Sequence, residues 1–204
     1  MGTIVSTLFI ALDGVVEIDP EWHFPYFDDQ MSNAVADDYS GVDVVLLGRV
    51  TYDSFVGAWP AREAAGEEDA PFAKMLGDTR KVVATRGSAD LGWRNVEATA
   101  EVVTTARALR ADPGIRKIGI PGSVSVVRQL LAAGLLDELR LLVHPVAARK
   151  GERLFDDGAE RYPMRLLACE AFRSGVVRLQ YAPTSAPAAR TYEDVKRQDM
   201  PRAE

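Results

Sequence analysis

Three segments of this chain bring an apolar run into a glycine or a cation, the arrangement that opens backbone amides toward an anion. Leu47-Gly48-Arg49-Val50-Thr51 ends the run 43–47 with a glycine, a guanidinium and a hydroxyl. Ile120-Pro121-Gly122-Ser123-Val124-Ser125 ends a second run with a tight turn and two hydroxyls, and Ala84-Thr85-Arg86-Gly87-Ser88 ends a third. Glycine lets a ligand approach the main chain closely. The free N–H groups and dipole of a following helix favour negative charge, and arginine grips phosphate in a bidentate fork. Arg49 and Arg86 together suit the ribose phosphate that separates NADPH from NADH. The alternative is plain: a glycine after a strand is often only a turn, and both arginines could be solvated. Neither a P-loop nor G-x-G-x-x-G occurs, so a dinucleotide would be held without the usual fingerprint.

Hydride transfer to C=N or C=O also needs a proton for the heteroatom. The candidate acids are Asp13, Glu17, Asp28 and Asp29. Against this, Asp13-Gly14 is a common turn after a strand, and acids are favoured at a helix start such as 28–29. Trp22, Phe24, Tyr26 and Phe27 divide between core and pocket wall. Tyr52 and Trp59 read as packing, His144 as a satisfied core residue, and Cys169 as buried and inert. Lys150, Gly151 and Arg153 make a basic loop, either solvated or able to hold a substrate phosphate.

The elements that must position these residues alternate in type. Strands are expected at 3–10, 43–47, 81–85, 115–120 and 138–147. Helices are expected at 27–39, from 50 to about 57, at about 100–111, and from Ser123, as a cap, to about 133. The last of these shows an apolar face of Val127, Leu130, Leu131 and Leu135. Residues 11–25 read as a long loop, and 58–79 as a loop with a short helix near 71–76. Segments 165–172 and 176–182, joined at Ser174-Gly175, form a hairpin. This pattern predicts an α/β fold: a central, mostly parallel mixed sheet flanked by helices and closed by an antiparallel C-terminal hairpin. Residues 1–183 form one domain, and 184–204 a tail.

The chain has 204 residues, with 24 Lys+Arg against 30 Asp+Glu and a formal charge of −6. That balance argues against a general nucleic-acid binder. One cysteine and two histidines leave no disulfide and no zinc-site spacing, so no metal is expected. With no signal peptide and no membrane-spanning run, a cytoplasmic location is expected.

In order, ALDGVVE (11–17), LLGRVTYDSF (46–55) with Trp59-Pro60, KVVATR (81–86) and IGIPGSVSVVRQLLAAGLLDELRLLVHPV (118–146) resemble the dihydrofolate-reductase-like superfamily. The likeness is nearer to the reductase domain of the riboflavin-biosynthesis deaminase–reductases than to ordinary dihydrofolate reductases. It implies NADPH as cofactor and a small heterocycle, a pterin or ribosylaminopyrimidine, as substrate. Gly48, Arg49, Val50 and Thr51 would then hold the pyrophosphate and adenosine side, and Gly122, Ser123, Val124 and Ser125 the pyrophosphate from the other side. Thr85 and Arg86 would meet the 2′-phosphate. The backbone of Ala11 and Ile120 would bond the nicotinamide carboxamide, with Val16 packed on the ring. Trp22-His23-Phe24-Pro25 resembles the family's W-x-x-P segment, yet Phe27 stands where dihydrofolate reductases carry a carboxylate. Asp28 and Asp29 are the neighbours that would have to serve. No H-x-E…C-x-x-C deaminase pattern is present. The resemblance also implies a homodimer. A non-catalytic NADPH-binding relative, or a partner-binding one, remains the other reading.

Overall fold

The structure is a computed structural model that describes residues 1–87, 91–155, 158, 161–188, 191, 192 and 194. Its frame is an eight-stranded sheet among the described residues. The strands are β1 (Thr3–Ala11), β2 (Val44–Gly48), β3 (Arg80–Ala84), β4 (Val96–Thr99), β5 (Lys117–Pro121), β6 (Glu138–His144), β7 (Met164–Ala171) and β8 (Val177–Pro183). The spatial order is β4-β3-β2-β5-β1-β6-β8-β7. The first six in that order run parallel, and β8 and β7 close the sheet antiparallel.

Strands β1 and β2 are fully engaged on both faces, which is why they read as apolar runs without alternation. One face packs Ile4, Leu8, Val44, Leu46 and Ile118 under helices α5 (Val102–Ala111) and α6 (Val124–Ala132). The other face carries α2 (Asp29–Tyr39), α3 (Arg49–Ala65) and α4 (Ala70–Asp78). There Val45, Leu47 and Val83 meet Tyr52, Leu76 and Trp93, while Met31 and Ala34 meet Leu142.

Two segments expected as loops are helical. Within 11–25, α1 (Pro20–His23) is capped by Asp19, whose carboxylate accepts from the Glu21 N–H, and has proline at its first position. A 3₁₀ turn over Phe24–Tyr26 follows. In the second segment, α3 does not stop near 57 but passes through Pro60 to Ala65, where Gly66 ends it in the left-handed region at φ 68°. Phe55, Val56 and Trp59 pack in the same cluster as Phe72 of α4. That burial outweighs the roughly 3 kcal/mol a proline costs inside a helix. Ser123 is also not a side-chain cap: it sits at φ 56° and its hydroxyl is used elsewhere. Cys169 is exposed rather than buried, because β7 is an edge strand.

The site follows from the strand order. The chain leaves β1, skips one position to build β2, moves outward to β3 and β4, and returns to insert β5 between β1 and β2. Ligands of open α/β sheets bind beyond the strand carboxyl ends at such a reversal.

Candidate functional site

Strands β2 and β5 pair only at Val44 with Ile118 and Val45 with Gly119, yet β2 continues to Gly48 and β5 to Pro121. The sheet therefore splits at the carboxyl ends of these two strands. The gap is spanned by side chains: the Gly48 N–H donates to Ser123 Oγ at 2.8 Å, and the Ser123 N–H donates to Thr51 Oγ1 at 3.1 Å. A Cβ placed on Gly48 would lie 3.6 Å from Ser123 Cβ and Ser125 Oγ, and one on Gly122 would lie 3.6 Å from Thr51. The β2–α3 and β5–α6 junctions, 75 residues apart in sequence, thus form one cradle. Gly122 and Ser123 are both left-handed, at φ 61° and 56°. That is unusual for serine and is held by its two bonds across the gap. The first-turn amides of α3 and α6 have no intrahelical acceptor by geometry, so both positive helix ends meet here.

Arg49 and Val50 lie exposed at the rim. Arg49 Nε donates to both Asp53 oxygens, at 2.8 and 2.9 Å, and this carboxylate raises the guanidinium's pKa. Ala84 is the register partner of Gly48, so Thr85 and the exposed Arg86 stand one strand further along the same edge. Thr85 Oγ1 accepts from the Gly87 N–H. Ser88 lies outside the described residues. Ile120 is buried in β5 on the β1 side of the split.

Beyond β1, the Ala11 N–H is committed to the Val15 carbonyl, and its own carbonyl accepts from Gly14 N–H. A second lone pair on that carbonyl is what Ala11 can offer a carboxamide. Val16 is buried, and its N–H donates to the Glu152 carbonyl. The basic loop 150–153 is therefore built against 13–17, with an antiparallel bridge between Val15 and Arg153.

The candidate acids are largely occupied. Asp13 accepts from the N–H groups of Arg149 (2.7 Å) and Ala148 (3.2 Å); the Arg149 bond leads in holding its carboxyl below the usual range. Asp28 caps α2 by accepting from the Met31 N–H at 2.9 Å. Asp29 is exposed in the first turn.

His144 is the satisfied core residue expected, while its partner His23 had no reading of its own in sequence. His23 and His144 are both buried, with His23 Nδ1 3.1 Å from His144 Nε2. Trp22 and Phe27 meet His23 edge-on, Phe9 and Phe24 are tilted against it, and Trp22 and Tyr26 flank His144 edge-on. Burial, reinforced by His144, pushes His23 down to about 4, and burial also lowers His144. Nothing in their 121-residue separation signals this pairing. Trp22 is buried and Tyr26 half-buried, while Phe24 and Phe27 are substantially exposed. No group of three or more His, Cys, Asp or Glu placed to hold a metal occurs among the described residues, and no helix there is long and apolar enough to cross a membrane. A cavity of about 260 Å³ lies between α6 and the segment carrying Leu154, Phe155 and Tyr162, not at the strand ends.

The family model for the RibD C-terminal domain matches residues 2–178. The chain belongs to the RibD C-terminal domain family. Uncharacterized protein YyaP of Bacillus subtilis (strain 168) is 25% identical over 188 residues, 87% of this chain and 93% of that one. Among solved structures, a Corynebacterium diphtheriae pyrimidine reductase-like protein matches with TM-score 0.64 at 16% identity, over 91% of this chain and 93% of its own. Acinetobacter baumannii RibD matches with TM-score 0.62 at 16% identity; 90% of this chain is covered, but only 58% of the RibD chain. At these identities the structural matches establish the dihydrofolate-reductase-like fold alone.

Proposed function

We propose that this member of the RibD C-terminal domain family is an NADPH-dependent reductase of a small heterocycle of the ribosylaminopyrimidine or pterin type. The observation that carries the reading is the split between β2 and β5. It is bridged by Ser123 and flanked by two helix N-termini, with Arg49 and Arg86 along one edge. This donor set fits a dinucleotide. Orphan amides at Val50, Thr51, Val124 and Ser125 suit the pyrophosphate, and the two guanidiniums suit a ribose phosphate. The bound cofactor supplies the hydride. The protein's part is to orient it, with the Ala11 carbonyl and Ile120 backbone at the carboxamide and Val16 against the ring, and to exclude water. Asp29 is the acid left unspent, since Asp13, Glu17 and Asp28 serve backbone amides. That same commitment of Asp13 and Asp28 favours a second reading, a nucleotide-binding relative without turnover. A cytoplasmic homodimer acting on a free small molecule completes the proposal.

The test is titration of NADPH and NADH, followed by tryptophan fluorescence. NADPH is expected to bind more tightly than NADH, with about a tenfold loss in Arg49→Ala or Arg86→Ala. Failure of both nucleotides to bind removes the reading. Binding without oxidation of NADPH by 7,8-dihydrofolate or the ribosylaminopyrimidine favours the second one.

A further inference from the structure

The buried imidazole pair has a definite polarity. His144 Nδ1 lies 3.0 Å from the Leu142 carbonyl oxygen. A carbonyl only accepts, so this nitrogen carries the proton, and the network then assigns the rest. His144 Nε2 is a bare acceptor, His23 Nδ1–H donates to it at 3.1 Å, and His23 Nε2 is left without a proton. That last nitrogen has no protein partner among the described residues. His23 itself is only 5% exposed, so this acceptor is nearly enclosed. Buried acceptors are as a rule partnered, so an open one inside a shell of aromatic rings points to a donor on a ligand. Its position is specific too: His144 is the register partner of Ala11, at the carboxyl ends of β1 and β6.

We propose that the His23–His144 pair is a specificity device of the substrate crevice, in which His23 Nε2 accepts a hydrogen bond from a ring N–H, amine or hydroxyl of the heterocycle. A ligand offering only a carbonyl there sets acceptor against acceptor and is refused. The inference rests on the reductase reading for what occupies the crevice. Tyr26 is the other titratable group in the ring cluster, and Asp28, at the nearby start of α2, is committed to Met31. His144 fixes the His23 tautomer as a positioning residue. The pair holds no transferable proton at neutral pH, so the proton of reduction comes from elsewhere.

The experiment is long-range ¹H–¹⁵N correlation of the imidazoles in the full-length labelled protein at pH 7. Both histidines are expected as Nδ1–H tautomers. Addition of 5,6-diaminouracil or 7,8-dihydrobiopterin should move the His23 Nε2 resonance, while 1,3-dimethyluracil, which has no N–H, should not. His23→Phe should weaken the donor-bearing probes about tenfold, and His23→Gln should restore part of the loss. An Nε2–H tautomer for His23, or donor probes that leave its nitrogens unmoved, overturns the proposal. NADPH titration of the same wild-type sample separates the two readings. Binding of NADPH with a silent His23 leaves the reductase and removes the device. A responding His23 without NADPH binding does the reverse.

Discussion

The chemistry of individual side chains here is decided by what each carboxylate or ring has already been given to do. Asp13 and Asp28 were candidates by type, and both turn out to hold backbone amides, which their positions after a strand and before a helix also allowed. The histidines reverse the case: two residues given no chemical role in sequence become a buried pair. Because burial depresses the His23 pKa to about 4 from an ordinary 6.5, the unfolded chain binds its proton first as pH falls. The sign follows: stability is unaffected above pH 6.5 and declines from there toward pH 4, by up to roughly 3 kcal/mol for this one group. Urea unfolding at pH 7.5 and 4.5 should show the decline, and His23→Phe should remove most of it. An equal decline in the variant assigns the effect to other groups. The glycine–arginine–threonine signal at 48–51 was legible in sequence. The occupation of Arg49 by Asp53 was available too, as an i,i+4 pair of opposite charge on a helix.

At the scale of elements, strand–turn–helix junctions were readable because apolar runs, glycines and turn residues are local signals. Helix length was not. Pro60 argues for a break, and only the packing of Phe55, Val56 and Trp59 in the α3–α4 cluster overrides it. The contact between the two junctions depends on one residue. In Ser123→Ala the buried Gly48 N–H loses its acceptor, which should cost about 1–3 kcal/mol. It should also release the left-handed turn at 122–123. Denaturant unfolding should register the loss, and NADPH affinity should fall with it. Unchanged stability together with unchanged affinity means that the hydroxyl does not hold the cradle.

Across the whole molecule, Asp38 near the end of α2 is buried and receives the Thr7 hydroxyl, Arg140 of β6 and Arg178 of β8. It ties a helix to three strands. Among the described residues the outer strand β7 pairs only with β8, and its Leu166, Leu167 and Cys169 are exposed. A register shift between Leu166 and Ala168 interrupts its outer ladder, so the proposed homodimer is expected to form through these leucines rather than through a continuous intermolecular sheet. Light scattering should give a dimer for the wild type and a monomer for Leu166→Lys; a monomeric wild type refutes the assembly. The sequence by itself determined the alternation of strands and helices, the closing hairpin and the glycine-bearing turns, because period, turn chemistry and caps act over a few residues. Only the tertiary structure decided that β5 inserts between β1 and β2, that Ser123 meets Gly48, and that His23 meets His144. Those contacts join residues 74 to 121 positions apart. Sheet order and burial select them, and neither leaves a trace in local pattern.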